Sequence, residues 1–104
     1  DYLGIPFKIR MENVNKSIVK PEFDSAEDVI PVLFPQWDHS PRSGKKAFVV
    51  THSTPELFGL QAKSIISIVQ KKRNKIIMLK SWNEWAEGNY MEPDVLNGRG
   101  FINA

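Results

Sequence analysis

Apolar and polar residues alternate near the N-terminus of the chain, whereas later segments follow other patterns. Every second residue from 3 to 9 is apolar, the period of a half-buried strand, and Pro6 favours an edge position for that strand. The stretch 11–28 is mixed and polar and is interrupted by Pro21, so it predicts a loop with one helical turn at most. We therefore expect residues 1–28 to form an irregular N-terminal segment that has room for an edge strand.

Two short apolar runs and one long amphipathic segment predict the main elements of the chain. Residues 29–34 and 76–79 are nearly continuous apolar runs, as expected of covered strands, and 47–50 predicts a third, brief strand. A hydroxyl residue, a proline and a glutamate within 53–56 mark a helix start, and apolar residues at helical spacing extend this helix over 55–72. The order of strand, helix and strand predicts a parallel βαβ unit and therefore an α/β fold.

Composition places the chain among globular domains of modest size. Its 104 residues are 41% hydrophobic, 25% charged and 11% aromatic, which disfavours disorder and coiled coils. A complete (β/α)8 barrel needs about 250 residues, so this length allows only part of one. No apolar run reaches the roughly 18 residues of a membrane span, no secretion leader opens the chain, and its first residue is Asp1. We expect no membrane span within these residues and a longer parent protein.

Charge and cysteine content narrow the expected partners and compartment. Fourteen Lys and Arg against twelve Asp and Glu give a net charge of +2, which is too small to indicate nucleic-acid binding. The absence of cysteine excludes disulfides and thiolate metal sites and agrees with a cytoplasmic location. The two histidines, His39 and His52, match no compact ligand motif even with Asp38 nearby. The sequence therefore predicts no metal and no cofactor.

The segment 81–94 concentrates the side chains best suited to chemistry. Two tryptophans, one tyrosine and four carboxylates fall within its fourteen residues, and it closely follows the predicted strand 76–79. In parallel α/β folds, the loops beyond the carboxyl ends of the strands carry the active site. Because aromatic faces stack on sugar rings while Asn and Glu side chains bond hydroxyl groups, this composition favours a carbohydrate site.

Glu84 and Glu87 are the candidate catalytic pair. In a helical turn, residues three apart have Cβ atoms about 5–6 Å apart on one side, close to the carboxylate separation of about 5–5.5 Å in retaining glycosyl chemistry. In an extended strand the same two residues would point to opposite faces, about 10 Å apart. Gly88 lets the backbone leave such a turn. The spacing alone slightly favours the alternative, in which both glutamates are solvated loop residues and the tryptophans lie in the core.

Three motifs of the chain resemble those of one protein family. The longest begins at Trp82 and reads WNEWAEGNYMEPD, and GRGF follows it at 98–101. This motif resembles the C-terminal signature of the WbsX-type polysaccharide-biosynthesis family, whose members carry a glycoside hydrolase family 99-like domain. The segment PQWDHSPR at 35–42 resembles the second motif of that family, and STPELF at 53–58 resembles its third landmark. The resemblance covers residues 29–104.

The resemblance implies a (β/α)8 TIM barrel as the parent fold, with residues 29–104 as its C-terminal part. Carried over by position, Glu84 would be the base that acts on the sugar 2-hydroxyl, and Glu87 the general acid/base at the glycosidic oxygen. The implied sugar-contacting residues are Asn83, Trp85, Tyr90, Asp38, Arg42, Trp37 and Glu92. His39 and Ser40 stand where the family usually has Asn and Thr, so the second motif departs from the family pattern.

The implied function is glycosyl transfer on a carbohydrate substrate in the biosynthesis of bacterial surface polysaccharide, such as O-antigen or lipopolysaccharide. Three alternatives remain open: an endo-acting glycoside hydrolase similar to endo-α-mannosidases, a non-catalytic sugar-binding module, and a purely structural barrel segment. A piece of 104 residues cannot close a barrel, so we expect the isolated chain to be inactive even where the parent is an enzyme. Its exposed barrel edges would favour self-association.

Overall fold

A computed structural model describes residues 7–104 of the chain, and these form a mixed α/β fold, as predicted. The strands are β1 (Phe7–Arg10), β2 (Val32–Leu33), β3 (Phe48–Thr51), β4 (Met78–Leu79), β5 (Asn83–Glu84) and β6 (Asn89–Tyr90). The helices are α1 (Met11–Ile18), α2 (Pro21–Asp24), α3 (Ser40–Ser43), α4 (Pro55–Val69) and α5 (Gly100–Asn103). Two 3-10 turns span Gly44–Lys46 and Trp85–Glu87. The first part of the alternating N-terminal pattern, residues 3–6, lies outside the described residues.

Parallel pairing joins strands that are distant in the sequence. β2 and β4 form one parallel pair, with Val32 beside Met78, and Met78 N also donates to Pro31 O (2.9 Å). The parallel pairing predicted for these two apolar runs is confirmed over a shorter span. Pro31 and Pro35 have no N–H to donate, which limits the ladder on the side of β2. β1 pairs with β3 in parallel, and β5 pairs with β6 in antiparallel orientation.

Helix α4 begins where its sequence predicts and ends slightly earlier. The Thr54 hydroxyl accepts a hydrogen bond from Leu57 N (3.1 Å), and Pro55 occupies the first turn. The helix ends at Val69, before the predicted end at residue 72. The buried stripe of α4 includes the polar residue Gln61, whereas the apolar Ile66 is exposed. The buried residues of α4 are Phe58, Gln61, Ile65 and Val69.

Two polar side chains, one in α4 and one three residues after its end, bond this part of the chain to the segments beside it. Gln61 Oε1 accepts from Phe34 N (2.5 Å), and Gln61 Nε2 donates to Phe34 O (3.1 Å), so the backbone just after β2 is bonded to the helix. The buried ammonium of Lys72 donates to Asp24 O (2.9 Å) and to Val29 O (2.6 Å). These bonds hold the helix across β2 from both ends of the strand.

The N-terminal part of the chain is more regular than its sequence predicts. Helix α1 occupies a stretch whose polar composition predicts a loop, and this prediction is wrong. Met11 is fully buried in a cluster with Phe34 and Val50, and Val14 and Ile18 pack against that cluster. Their spacing forms one apolar stripe on an otherwise polar helix, which is stable because it packs on the core.

The carboxyl ends of β2 and β4 lead into the two segments that contain the PQWDHSPR and WNEWAEGNYMEPD motifs. We call residues 35–46 loop A and residues 80–94 loop B. Because parallel strands end at the same edge of a sheet, both loops begin on one side of the molecule. Within the described residues, no helix has both the length and the apolar character that crossing a membrane requires.

Candidate functional site

Loop B folds into a short hairpin that presents both candidate glutamates. Glu84 ends β5, the 3-10 turn follows, and Glu87 ends that turn. Gly88 then adopts left-handed geometry (φ 59°, ψ 26°) and leads into β6. In the hairpin register, Glu84 lies opposite Asn89. The segment between the glutamates is therefore coiled rather than extended.

Loop A packs directly on the hairpin at Gly88. Asp38 N donates to Glu87 O (3.1 Å), and a Cβ atom placed on Gly88 would overlap the Asp38 carbonyl oxygen. On its other side, loop A pairs with β3: Asp38 forms an isolated antiparallel β-bridge with Val49, and Val50 N donates to the Trp37 carbonyl (2.7 Å). Glycine at position 88 thus serves the turn and also allows the close approach of loop A.

Charged side chains of both loops meet near Glu87. Arg42 Nη1 lies 3.9 Å from Glu87 Oε2, and the Arg42 side chain is 61% exposed against 26% for Glu87. The Asp38 carboxylate accepts hydrogen bonds from the backbone N–H (2.9 Å) and the hydroxyl of Ser40. The structure thereby brings together three of the residues that the family resemblance implies, namely Asp38, Arg42 and Glu87.

Four side chains of loop B form what we call the Trp85 platform: Trp85, Tyr90, Glu92 and Asp94. The rings of Trp85 and Tyr90 stack with centroids 3.6 Å apart and an interplanar angle of 16°. Trp85 Nε1 donates to Glu92 Oε1 (2.7 Å), and the Tyr90 hydroxyl donates to Asp94 Oδ2 (2.7 Å). Burial, and then the neighbouring Asp94 carboxylate, raise the pKa of Tyr90 to about 12. The indole of Trp85 remains accessible, since the residue is 46% exposed.

The amino-acid sequence of the chain matches one protein family and two curated relatives. The family model described as Glycosyltransferase WbsX matches residues 6–104. The chain belongs to the WbsX glycosyltransferase family. Curated relatives include the uncharacterized protein WxcX of two strains of Xanthomonas campestris pv. campestris, each 29% identical over 80 residues. These matches cover 71% of this chain but only 11% of the relatives' length. No solved structure matches the chain.

The remaining implied residues of this WbsX-family chain differ in how accessible they are. Trp37 lies on the core side, with its ring centroid 5.9 Å from that of Phe34 and 5.6 Å from that of Phe48. Asn83, in β5, is exposed beside the platform. Tyr90 covers one face of the Trp85 indole and bonds Asp94, and Glu92 accepts from the indole N–H at the ring edge, so the polar groups of both residues are already bonded. Trp82, at the start of the hairpin, is exposed.

Two residues that sequence reasoning did not single out join the loops of the WbsX-family chain. Asn89 is buried, and its Nδ2 donates to Gln36 O (2.7 Å) and to Lys80 O (3.0 Å). In return, Gln36 Nε2 donates to Tyr90 O (3.0 Å). The sequence marked these residues only by their presence inside the two motifs, because the order of polar and apolar residues does not distinguish a buried amide from an exposed one. Within residues 7–104, no group of three His, Asp or Glu side chains is placed to hold a metal ion.

Proposed function

We propose that the intact protein transfers glycosyl groups in the biosynthesis of bacterial surface polysaccharide, such as O-antigen or lipopolysaccharide. Membership of the WbsX family supports this assignment. The observation that carries it is the contact between the loops, in which Asp38 N donates to Glu87 O (3.1 Å) and Arg42 lies beside the Glu87 carboxylate. Carboxylates can move protons and an open indole can stack on a sugar ring, so the groups around this turn suit a glycosyl-transfer site.

Glu84 and Glu87 have separate roles in this proposal. Glu84 takes the proton of the sugar 2-hydroxyl as its oxygen bonds to the anomeric carbon, and Glu87 donates a proton to the departing glycosidic oxygen. An acceptor hydroxyl, deprotonated by Glu87, then bonds to the anomeric carbon in place of the 2-oxygen, which takes back its proton from Glu84. Arg42 holds the Glu87 carboxylate toward the substrate while its remaining donors stay open to solvent. Trp85 offers its open face to a sugar ring, and Asn83 and Asp38 bond hydroxyl groups at the rim.

The parent fold that we propose is a (β/α)8 barrel, with residues 29–104 as its C-terminal part. Three observations support it: β2 and β4 are adjacent and parallel, α4 lies between them in sequence, and both loops follow carboxyl ends of strands. In addition, the cross-strand neighbours Val32 and Met78 are exposed, and so are Ile30 and Ile76. Parallel strands are normally covered on both faces, so further strands and helices of a barrel would cover these residues.

A non-catalytic sugar-binding module is the second candidate, and the Trp85 platform favours it. The stacked ring, the two carboxylate acceptors and the open indole face form a rigid surface that needs no proton transfer to bind a sugar. An endo-acting hydrolase would use the same residues as a transferase but would pass the glycosyl group to water.

The deciding experiment compares Glu84→Gln and Glu87→Gln in the intact protein with Glu22→Gln, an exposed glutamate on α2 outside both loops. The substrates are a panel of nucleotide-sugar donors, nitrophenyl α-glycosides and α-linked oligosaccharides. We expect each loop B variant to lose about 10²–10⁴-fold in turnover, with Glu22→Gln unchanged. Glycosyl release without an acceptor would identify a hydrolase. Two outcomes would favour the binding module: a wild type that binds sugar without turnover, and Glu84→Gln and Glu87→Gln variants that bind sugar and keep wild-type turnover.

A further inference from the structure

One buried amide group ties together three segments of the candidate site. Asn89 is only 1% exposed. Both hydrogens of its Nδ2 are used, one on the carbonyl of Gln36 in loop A and one on the carbonyl of Lys80, directly after β4. Because both partners are carbonyl oxygens, only the nitrogen can face them, and the orientation of the amide is fixed. A single side chain on β6 therefore joins the ends of both parallel strands to the hairpin.

The oxygen of this amide makes the residue costly to keep. Asn89 Oδ1 is buried and accepts no hydrogen bond within the described residues. A buried polar atom without a partner costs about 1–3 kcal/mol. An apolar side chain would avoid that cost, but it would leave the Gln36 and Lys80 carbonyls without this donor. Replacing the amide by an apolar side chain would therefore remove one unpaired oxygen but deprive two carbonyl oxygens of a donor.

These bonds bear directly on the candidate carboxylates. Asn89 lies opposite Glu84 in the hairpin register and two residues after Glu87. Its own carbonyl accepts from the Ser81 hydroxyl (2.5 Å), and Ser81 Oγ also accepts from Glu84 N (3.2 Å). Without the Asn89 amide, the hairpin would keep the bonds from Asp38 N to Glu87 O and from Gln36 Nε2 to Tyr90 O, but it would lose both bonds that Nδ2 donates.

We propose that Asn89 is a positioning residue, which sets loop B against loop A so that Glu87 lies beside Asp38 and Arg42 and β5 holds Glu84 next to it in the hairpin. The inference rests on the proposed function. Displacement of a reacting group by about 1 Å can cost about 10²-fold in rate, so the effect falls on turnover. The Trp85 platform is held by its own contacts within loop B, and substrate binding through it is preserved.

The test replaces Asn89 by Asp and by Leu in the intact protein, with Asn103→Asp and Asn103→Leu as matched controls at an exposed position. Asp sets a carboxylate against two carbonyl oxygens, and Leu fills the volume without a donor. On the panel member with the highest wild-type turnover, we expect kcat per folded molecule to fall about 10–100-fold and KM to change less than about threefold. The folded fraction comes from circular dichroism.

The outcomes separate this inference from the proposed function. Inactive Glu87→Gln with normal kcat per folded molecule in both Asn89 variants overturns the positioning role alone. Wild-type activity in Glu84→Gln and Glu87→Gln, or a wild type that turns over no panel member, overturns both. Should the Asp and Leu variants not fold, Asn89→Ala decides, since it removes the same two Nδ2 bonds and introduces neither charge nor bulk. A lower kcat at unchanged KM supports positioning, and an unchanged kcat contradicts it.

Discussion

Loops A and B meet at one edge of the β2–β4 pair, but they are held in different ways. Loop B contains the Trp85 platform, whose side chains stack on or bond one another, and the buried Asn89. Loop A contributes charged side chains that lie in solvent, Asp38 and Arg42. It contacts loop B largely through its backbone, at Asp38 N and at the carbonyl of Gln36.

The difference separates groups that fix geometry from groups that are open to a ligand. The hydrogen bonds made by loop B side chains occupy the Tyr90 hydroxyl, Trp85 Nε1 and the Asn89 amide nitrogen. Polar atoms that are already bonded contribute shape rather than new hydrogen bonds. Arg42 stays mostly exposed beside Glu87 and keeps donors for a substrate. The bonded side chains of loop B thus fix the geometry of the hairpin, and the charged side chains of loop A remain accessible to a ligand.

The largest expected effect comes from forcing the two loops apart with Gly88→Ala. A left-handed conformation costs a non-glycine residue about 1–2 kcal/mol, and overlap with well-packed atoms typically costs about 1–3 kcal/mol more. Both apply at Gly88, because its φ is 59° and a Cβ would meet the Asp38 carbonyl. We expect the free energy of unfolding to fall by about 2–5 kcal/mol, measured by urea denaturation.

Gly98→Ala is the matched control for this change. Gly98 has a φ of 53°, but a Cβ there would meet no atom within 4 Å. It should therefore show only the conformational cost of about 1–2 kcal/mol. Equal losses in the two variants would mean that the contact with loop A contributes nothing, and the contrast between the loops would be lost.

Local signals in the sequence predicted the elements that depend on neighbouring residues. Thr54 and Pro55 marked the start of α4 because capping acts within one turn. Polar residues between Met11 and Ile18 concealed α1, whose stability comes from packing on residues far along the chain. The same reason hid Asn89: its bond to the Gln36 carbonyl spans 53 positions, and a single sequence holds no record of that contact.

Asp94→Asn tests the Trp85 platform at one contact. Burial first, and Asp94 second, raise the pKa of Tyr90 from 10.0 to about 12. The neutral phenol is favoured in the folded state, so this contribution to stability is complete below pH 10.0 and is lost as the pH rises through about 12. Without the Asp94 charge, the pKa of Tyr90 should fall but stay above 10.0, since burial persists.

Tyrosinate absorbance measures this pKa in a Tyr2→Phe background, because the chain has only two tyrosines. Glu92→Gln is the control, since Glu92 bonds Trp85 Nε1 rather than the phenol. It should leave the titration of Tyr90 nearly unchanged. A Tyr90 titration that does not respond to Asp94→Asn would show that the phenol is not held by loop B in the way described.

The smallest expected effect is that of Arg42→Gln on stability. Arg42 Nη1 lies 3.9 Å from Glu87 Oε2, and the side chain is 61% exposed. Exposed ion pairs contribute about 0–1 kcal/mol and are screened by salt, so we expect urea denaturation to give a loss below about 0.5 kcal/mol. Arg99→Gln, at another exposed arginine, should match it. A salt-sensitive loss above about 1 kcal/mol confined to Arg42→Gln would mean that loop A is held by its charge, as loop B is by its platform. Turnover of the intact protein should fall all the same, since Arg42 acts on the Glu87 carboxylate rather than on the fold.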